Sequence, residues 1–196
     1  MAKFMDSLTT AELILELQGG DHAALGILYD RYNRLVFRTA VGITGDTEAA
    51  ADVMQEAFLR LYRFAERIEV ERPLEPWLAR VTANLAYTWV RKRRWLQPLE
   101  DVAEWFVGEK RYIPHHAAET EEEWRQLEQA IQSLPLTQRV VIALYYINDF
   151  SLKEISEILD VPAGTVKSRL HYGRLALRNY VNSQENVLTG VQYDFT

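Results

Sequence analysis

Apolar side chains recur every three or four residues along most of the chain, which is the spacing of a helix that buries one face. One such stripe runs through residues 23–41. A second stripe predicts a helix that ends near residue 66 and buries Ala50, Val53, Ala57, Leu61 and Phe64. We find no convincing alternation of polar and apolar residues typical of a strand ladder. The pattern therefore predicts an all-α fold.

Capping residues indicate where several helices begin and end. Two capping boxes, each a hydroxyl residue followed three positions later by Glu, predict helix starts after Thr9 and Ser151. Gly45 predicts the end of one helix, while Asp21 and Asp46 are predicted to cap the two helices that follow them. Further helices are predicted over 77–95, over 119–133, from Pro135 onward, and in a last segment that ends near Val181.

Breaks in this pattern divide the chain into two small helical domains. We predict the first over 1–96, with an internal break at 72–76 that contains two prolines. The second is predicted over 119–183. An irregular linker, 97–118, joins them, and a flexible tail is expected over 184–196.

Charge is unevenly distributed along the chain. The net charge is −6, with 28 acidic residues against 22 Lys and Arg. Two segments contain bases and no acid: 76–98, with Arg80, Arg91, Lys92, Arg93 and Arg94, and 161–184, with Lys167, Arg169, Arg174 and Arg178. Because binding to phosphate depends on local potential, these two segments indicate nucleic-acid contacts in an otherwise acidic protein.

Several function classes are excluded or disfavoured. The chain has no cysteine, which excludes disulfides and cysteine-ligated zinc. No apolar run is long enough to predict a membrane span, and no signal sequence is recognisable, so we expect a cytoplasmic protein without membrane insertion. His115 and His116 are adjacent and lack partner ligands, so no metal or other cofactor is predicted.

Residues 151–178 have the form of a helix-turn-helix. The first helix is predicted to bury Leu152, Ile155, Ile158 and Leu159. Pro162 suits the first turn of the second helix, because the N–H that proline lacks has no partner there. The second helix presents donors and cations suited to a DNA major groove: Thr165, Lys167, Ser168, His171, Tyr172 and Arg174.

Several stretches resemble bacterial sigma factors of the sigma-70 family. LPLTQRVVIALYY from Leu134 and FSLKEISEILDVPAGTVKSRLH from Phe150 are similar to region 4 of the extracytoplasmic-function (ECF) group. In the first half, LYDRY from Leu28, TGD from Thr44 and ADVMQEAFLR from Ala51 resemble regions 2.1 and 2.2. PWLARVTANLA from Pro76 resembles regions 2.3 and 2.4.

The resemblance implies a non-enzymatic protein that binds core RNA polymerase and starts transcription at promoters, with a role in stress response. Sigma domain 2 would be a helical bundle that reads the −10 element, and sigma domain 4 a helix-turn-helix that reads the −35 element. The clamp helices of the β′ subunit and the β flap would be the polymerase contacts. An anti-sigma factor is the expected regulator, and it could sequester the protein at the membrane.

The resemblance also assigns residues. It implies −10 contacts by Arg80, Asn84 and Thr88, and phosphate contacts by Arg91, Lys92, Arg93 and Arg94. It implies −35 contacts by Lys167, Ser168, His171 and Tyr172, which the basic-face argument extends to Thr165 and Arg174. The clamp contact would be made by Asp52, Gln55, Glu56 and Leu59. Trp77 matches a family tryptophan, which we expect to pack in the core.

Four positions depart from the family pattern. The family usually has Gly at the position of Asp160, often an acid at Thr88, an aromatic at Ala79 and Arg at Tyr172. Because we expect these positions at or near DNA-reading surfaces, promoter sequence cannot be transferred from a relative.

Two other readings of the sequence are possible. A helix-turn-helix regulator that acts without polymerase would need a ligand or receiver domain in the first half, which offers no receiver-like alternation of strands and helices. An enzyme would need a recognisable catalytic spacing or a glycine-rich phosphate loop, and neither is found.

Overall fold

The protein was analysed as a computed structural model that describes residues 7–96 and 129–189, with side chains described over 7–93 and 129–180. Within these ranges every regular element is helical, which confirms the all-α prediction. The helices are α1 Thr10–Gln18, α2 Ala23–Thr44, α3 Thr47–Arg63, α4 Leu74–Leu96, α5 Leu136–Tyr146, α6 Leu152–Leu159 and α7 Ala163–Thr189. A short 3₁₀ turn spans Ala65–Arg67, and residues 129–133 are also helical.

The predicted helix signals are largely confirmed. Both capping boxes form, at Thr9 before α1 and at Ser151 before α6. Asp46 accepts hydrogen bonds from two backbone N–H groups at the start of α3. Gly45 ends α2 with a left-handed φ of 67°. Asp21 lies one residue before the N-cap of α2, and its carboxylate accepts from the N–H of Ala23.

Helix α3 ends three residues earlier than predicted, at Arg63, and the chain turns into a 3₁₀ segment. The prediction that Phe64 is buried is wrong, because its side chain is 40% exposed. Phe64 lies at the turn, beyond the face that the helix buries, and its ring packs under the guanidinium of Arg67.

Two helices are longer than predicted. Helix α4 begins at Leu74 rather than Trp77, because Pro76 sits in its first turn, where a missing N–H costs nothing. Leu74 is buried and anchors this start. Helix α7 continues to Thr189, so helical backbone extends over residues 184–189 of the predicted tail. No glycine or proline occurs between Gly173 and Gly190, so nothing in the local sequence ends this helix at residue 183.

The core has two parts. One apolar cluster joins α1, α3, the first half of α2 and the first turns of α4, and Trp77 packs partly buried against it. The other cluster extends from the C-terminal parts of α2 and α4 into α5, α6 and α7. The two predicted domains therefore pack against each other through a shared set of buried side chains.

Candidate nucleic-acid interface

The second helix of the helix-turn-helix is held by a tight turn. Asp160 ends α6 in the left-handed conformation, with φ 52° and ψ 49°. The Ser156 hydroxyl donates to the carbonyl of Val161 at 2.6 Å, which fixes the chain just before Pro162. Val166 and Leu170 are buried on the inner side of α7. The opposite side of this helix is consequently turned to solvent.

The residues predicted to contact the −35 element lie on this outer side. The exposed ones are Lys167, Ser168, His171, Tyr172 and Arg174, and Thr165 is half-buried. The Ser168 hydroxyl donates to the carbonyl of Gly164, so in this structure its proton is used within the helix and its oxygen can still accept.

Arg174 is held by two aromatic rings of α5. Its guanidinium lies 5.1 Å from the ring centre of Tyr145 and 5.4 Å from that of Tyr146. The two rings meet edge to face at 5.0 Å. Desolvation alone would lower the pKa of Arg174, but hydrogen bonding to the two tyrosines raises it above its ordinary value. The cation is thus pre-ordered on the surface of the second half.

Helix α4 exposes the residues predicted to read the −10 element. Arg80, Asn84 and Thr88 lie one turn apart and are all exposed. The Thr88 hydroxyl donates to the carbonyl of Asn84 at 2.8 Å. The Asn84 side chain carries both a donor and an acceptor for a base edge.

Aromatic rings order two of the cations at the end of α4. The guanidinium of Arg91 lies 5.9 Å from the ring centre of Tyr87, and that of Arg93 lies 5.0 Å from the ring centre of Trp89. Arg93 also forms a 2.7 Å ion pair with Asp46 at the start of α3. Lys92 is exposed, whereas the side chain of Arg94 lies outside the described residues.

The residues predicted to contact the polymerase clamp lie on the outer face of α3. Asp52 and Gln55 are exposed, and the apolar side chain of Leu59 is 39% exposed. Glu56 is half-buried and pairs with Arg60 at 2.9 Å, one helical turn later. The opposite stripe of α3 is buried, as predicted from the sequence.

The structure shows the surroundings of two of the four positions that depart from the family pattern. Asp160 adopts the left-handed geometry that glycine would favour, which aspartate tolerates at some cost. Ala79, in contrast, is fully buried. It lies on the inner face of α4, so its side chain is not part of the exposed face that carries Arg80, Asn84 and Thr88.

Sequence reasoning missed the side chains that support the predicted contacts. Tyr87 and Trp89 each precede their arginine by four residues, a spacing that could have indicated the pairs. Asp46, Tyr145 and Tyr146 support a cation on another helix, and no local pattern predicts such a long-range contact.

The described residues contain neither a cluster of metal-ligating side chains nor a membrane-spanning helix. There, His, Cys, Asp and Glu side chains form no group of three or more able to hold a metal ion. Across 7–96 and 129–189, no helix combines the length and apolarity needed to cross a membrane. His115 and His116 lie outside the described residues.

Comparison with protein families finds sigma regions 2 and 4 in the order that the sequence predicts. Residues 28–96 match the model of sigma-70 region 2, and residues 124–177 match that of sigma-70 region 4. A helix-turn-helix regulator that acts without polymerase is not favoured, because such a protein would not have a sigma region 2 in its first half.

Individual relatives align with this chain along nearly their whole length. The chain is 34% identical over 173 residues to the ECF RNA polymerase sigma factor SigW of Bacillus subtilis, covering 84% of this chain and 92% of the relative. It is 32% identical over 184 residues to the ECF RNA polymerase sigma-E factor of Escherichia coli, covering 90% and 96%. The solved structure of CnrH in complex with the cytosolic domain of CnrY shares the fold, with a TM-score of 0.66 at 20% identity, over 88% of this chain and 97% of that one. This chain belongs to the extracytoplasmic-function sigma factors of the sigma-70 family.

Proposed function

We propose that this protein binds core RNA polymerase through α3 and directs it to promoters that α4 and α7 recognise together. The observation that carries the proposal is the exposure of all three predicted surfaces in one chain. The α3 face, the α4 face and the outer side of α7 each present most of their predicted residues to solvent, while Glu56 and Thr165 are half-buried. A polymerase contact and two DNA contacts are what promoter-directed initiation requires.

The polymerase contact would combine charge with one apolar anchor. Asp52 and Gln55 supply polar groups at the rim of the α3 face, and Leu59 supplies apolar area. A surface with a central apolar side chain and a polar rim is typical of protein interfaces. We assign this face to the clamp helices of β′, and the second half of the chain to the β flap.

The promoter contacts would divide the two elements between α4 and α7. On α4, Asn84 would read a base taken out of the stack, since its amide can donate and accept. The cations at the end of α4 would bind phosphates. On α7, Lys167, Ser168 and His171 would read the −35 element in the major groove.

Run-off transcription tests the proposal directly. Core polymerase with this protein, on fragments of the host genome, should give discrete products that core alone does not give. The start sites should share one pair of sequence elements upstream. The proposal is wrong if no promoter-specific product appears although the protein is folded.

The role of Asn84 can be tested separately. Asn84→Ala should reduce strand opening at the −10 element, measured by permanganate reactivity, by about tenfold, because one well-placed base contact contributes about 1–3 kcal/mol. Binding to a −35 duplex should stay unchanged. Asn33→Ala, on α2, is the matched control. Equal loss at both elements would contradict the assignment.

The polymerase surface allows a closely matched test. Leu59→Arg replaces the exposed apolar side chain of the α3 face with a charge and should weaken binding to core polymerase at least tenfold, measured by fluorescence anisotropy of the labelled protein. Leu15→Arg is the control, because Leu15 is also an exposed leucine, 55% accessible, on α1. Similar losses in both variants would argue against this docking face.

The proposal also covers how the activity of the protein is controlled and where in the cell it is located. We assign control to an anti-sigma factor in the cytoplasm or at the membrane. One solved structure of similar fold, the sigma factor RpoE in complex with the anti-sigma factor NepR from Bartonella quintana, contains such a partner. Full promoter activity of the protein at native level in unstimulated cells would contradict control by such a factor.

A further inference from the structure

One line of exposed side chains along α7 is basic. Positions three or four residues apart are neighbours on the surface of a helix, so a series with this spacing forms a line along it. Four exposed residues follow this spacing: Lys167, His171, Arg174 and Arg178. We call them the basic stripe of α7. Such a line of donors and cations suits the phosphates and the acceptor groups on the base edges of DNA.

The neighbouring line of exposed side chains carries no charge. Ser168, Tyr172 and Leu175 have the same spacing and are also exposed. The exposed fraction is 58% for Tyr172 and 44% for Leu175, although both side chains are mainly apolar. We call these three residues the neutral stripe. At about 1.5 Å per residue it covers about 10 Å of the helix, which is close to the rise of about three base pairs.

The neutral stripe lies between cations on both sides. Lys167 and Arg169 directly precede and follow Ser168, which places them about 100° to either side of it around the helix axis. Lys167 is exposed and Arg169 is half-buried, while Val166 and Leu170 are buried on the opposite side of the helix. A major groove is bounded by the phosphates of two strands, with the base edges between them. The neutral stripe is therefore the part of α7 that would meet the base edges.

The ring of Tyr172 is oriented by its neighbour. His171 and Tyr172 pack edge to face, with 5.4 Å between the ring centres and 71° between the ring planes. A tyrosine side chain has few rotatable bonds, so little conformational entropy is lost when this ring contacts a ligand. Leu175 lies three residues further along the same stripe. The ring edge of Tyr172 and the side chain of Leu175 thus form a small apolar surface on the reading side of α7.

The bases differ in how well they accept an apolar contact. In the major groove adenine, guanine and cytosine present hydrogen-bond donors or acceptors, whereas thymine presents a methyl group beside its O4 acceptor. A leucine placed against a donor or acceptor would remove it from water without offering a partner, which costs free energy. Leu175 has no polar side-chain atom, and Tyr172 has only its hydroxyl group. A thymine methyl is therefore the base group that best fits this surface.

We infer that Tyr172 and Leu175 read thymine in the −35 element, by apolar contact with its C5 methyl group. The inference rests on the proposed binding of α7 to that element. The two residues are about 4.5 Å apart along the helix axis, so they face one base pair or two adjacent ones. Ser168, whose hydroxyl oxygen can still accept a hydrogen bond, suits more than one base at the other end of the neutral stripe.

Replacing single thymines by uracil tests this contact, because uracil lacks only the C5 methyl group and still pairs with adenine. The probe is a labelled duplex with the −35 element of a promoter mapped by run-off transcription, and binding of the full-length protein is measured by fluorescence anisotropy. Each thymine of either strand is replaced in turn. One thymine, or two adjacent ones, should show a loss of about fourfold in affinity, as expected when one methyl group is no longer buried. Thymines outside the element should show no loss.

Protein variants show which side chains make the contact. Tyr172→Ala and Leu175→Ala should bind the thymine duplex less tightly and should lose most of the response to uracil. Arg174→Ala removes a cation of the basic stripe, so its affinity should fall on every duplex while the uracil effect stays about fourfold. Leu15→Ala, which alters an exposed leucine of α1, should change neither quantity. Circular dichroism verifies that each variant is folded.

Tyr172→Phe distinguishes the ring of this residue from its hydroxyl group. The variant keeps the apolar ring edge, so its affinity and its response to uracil should stay close to those of the wild type. A loss as large as that of Tyr172→Ala would assign the contact to the hydroxyl group. Such a result would overturn the reading of a methyl group by Tyr172.

The inference and the proposed function fail in different ways. If the wild-type protein gives no promoter-specific transcript, the proposed function is wrong and the inference falls with it. If the wild type transcribes and binds the −35 duplex but no thymine of the element responds to uracil, only the reading of thymine is overturned. The same conclusion follows if uracil weakens binding by Tyr172→Ala and Leu175→Ala as much as binding by the wild type.

Discussion

At the scale of single residues, Arg139 is the clearest case of a charge placed inside an apolar core. Its two Nη atoms donate to the carbonyls of Ile43, Gln132 and Leu134 and to the side-chain oxygen of Gln132. A guanidinium can serve several acceptors because its donors lie in a rigid planar fork. The side chain therefore satisfies oxygens at the ends of two helices, α2 and the one over 129–133, and in the turn before α5.

Replacing Arg139 should be strongly destabilising. Arg139→Met leaves several buried acceptors without a donor, and we expect a loss of about 3 kcal/mol in the free energy of unfolding, measured with urea. Arg139→Lys should not restore the wild-type value, since an ammonium cannot reproduce the fork. Arg38→Met, at an exposed site on α2, should change stability by less than about 0.5 kcal/mol. Comparable losses at both sites would refute this role.

Whether the tyrosine rings hold the Arg174 guanidinium in place for DNA binding can be tested. Tyr146→Ala removes one of the two rings while the cation remains, so affinity for a −35 duplex should fall about two- to fivefold, consistent with about 0.5–1 kcal/mol for an exposed cation–π contact. The dependence of log K on log salt should keep its slope. Arg174→Ala should instead reduce that slope by about 0.9, because one phosphate contact is lost.

Tyr146→Phe is the matched control for this experiment, since it keeps the ring and should keep most of the affinity. An unchanged affinity in Tyr146→Ala would show that the ring does not order the cation for DNA binding. An unchanged salt slope in Arg174→Ala would remove Arg174 from the phosphate contacts.

At the scale of elements, Asp46 has two roles at the start of α3. Asp46 accepts from the N–H groups of Glu48 and Ala49 and pairs with Arg93 of α4. Partial burial would raise the pKa of Asp46, but these hydrogen bonds and the charge of Arg93 lower it below its ordinary value of 3.8. The cap and the basic end of α4 are thus coupled.

Asp46→Ala should lower the free energy of unfolding by about 1–2 kcal/mol at neutral pH, as expected for loss of an N-cap. Because the folded pKa is the lower one, the Asp46 carboxylate contributes fully above about pH 4 and loses its effect as the pH falls through the folded pKa. The difference between wild type and variant should therefore shrink below pH 4 in urea titrations. The free energy of unfolding of Asp46→Asn, which keeps the capping oxygen without the charge, should lie between those of the wild type and Asp46→Ala. A difference between wild type and Asp46→Ala that does not depend on pH would contradict this account.

The elements could be predicted well where their signals are local. Capping at Thr9, Ser151 and Asp46 and the glycine stop at Gly45 depend on neighbouring residues, and the structure confirms them. The exposure of the recognition residues follows from helical periodicity, whereas their DNA contacts remain predictions.

The misjudged features depend on contacts outside the local sequence. The early start of α4 depends on burial of Leu74 against other helices, and the exposure of Phe64 depends on where the chain turns. The close approach of Gly42 to α5 depends on packing between residues about 100 positions apart. No local pattern contains that information.

At the scale of the whole molecule, the arrangement of the two halves should depend on the size of residue 42. Gly42→Leu places a branched side chain against Ile147 and should push α2 away from α5, so that the radius of gyration from small-angle scattering rises above that of the wild-type protein. Helix content by circular dichroism should stay the same, because leucine is a better helix former than glycine.

Gly26→Leu is the control for this experiment. Gly26 lies in the same helix, and a Cβ built there meets nothing within 4 Å. This variant should gain the same helix propensity and keep the compact radius. If both variants scattered alike, the size of residue 42 would not determine whether the halves separate.

The exposed cations of α4 and α7 also bear on where the protein resides between rounds of transcription. Binding to phosphate without base contacts needs neither sequence nor a fixed distance between helices, and it weakens steeply with salt. If these cations bind phosphates as proposed, DNA of any sequence would weakly hold the protein that is not bound to polymerase. The amount available to polymerase would then follow intracellular ionic strength, so that osmotic conditions could alter promoter use without any change in protein level.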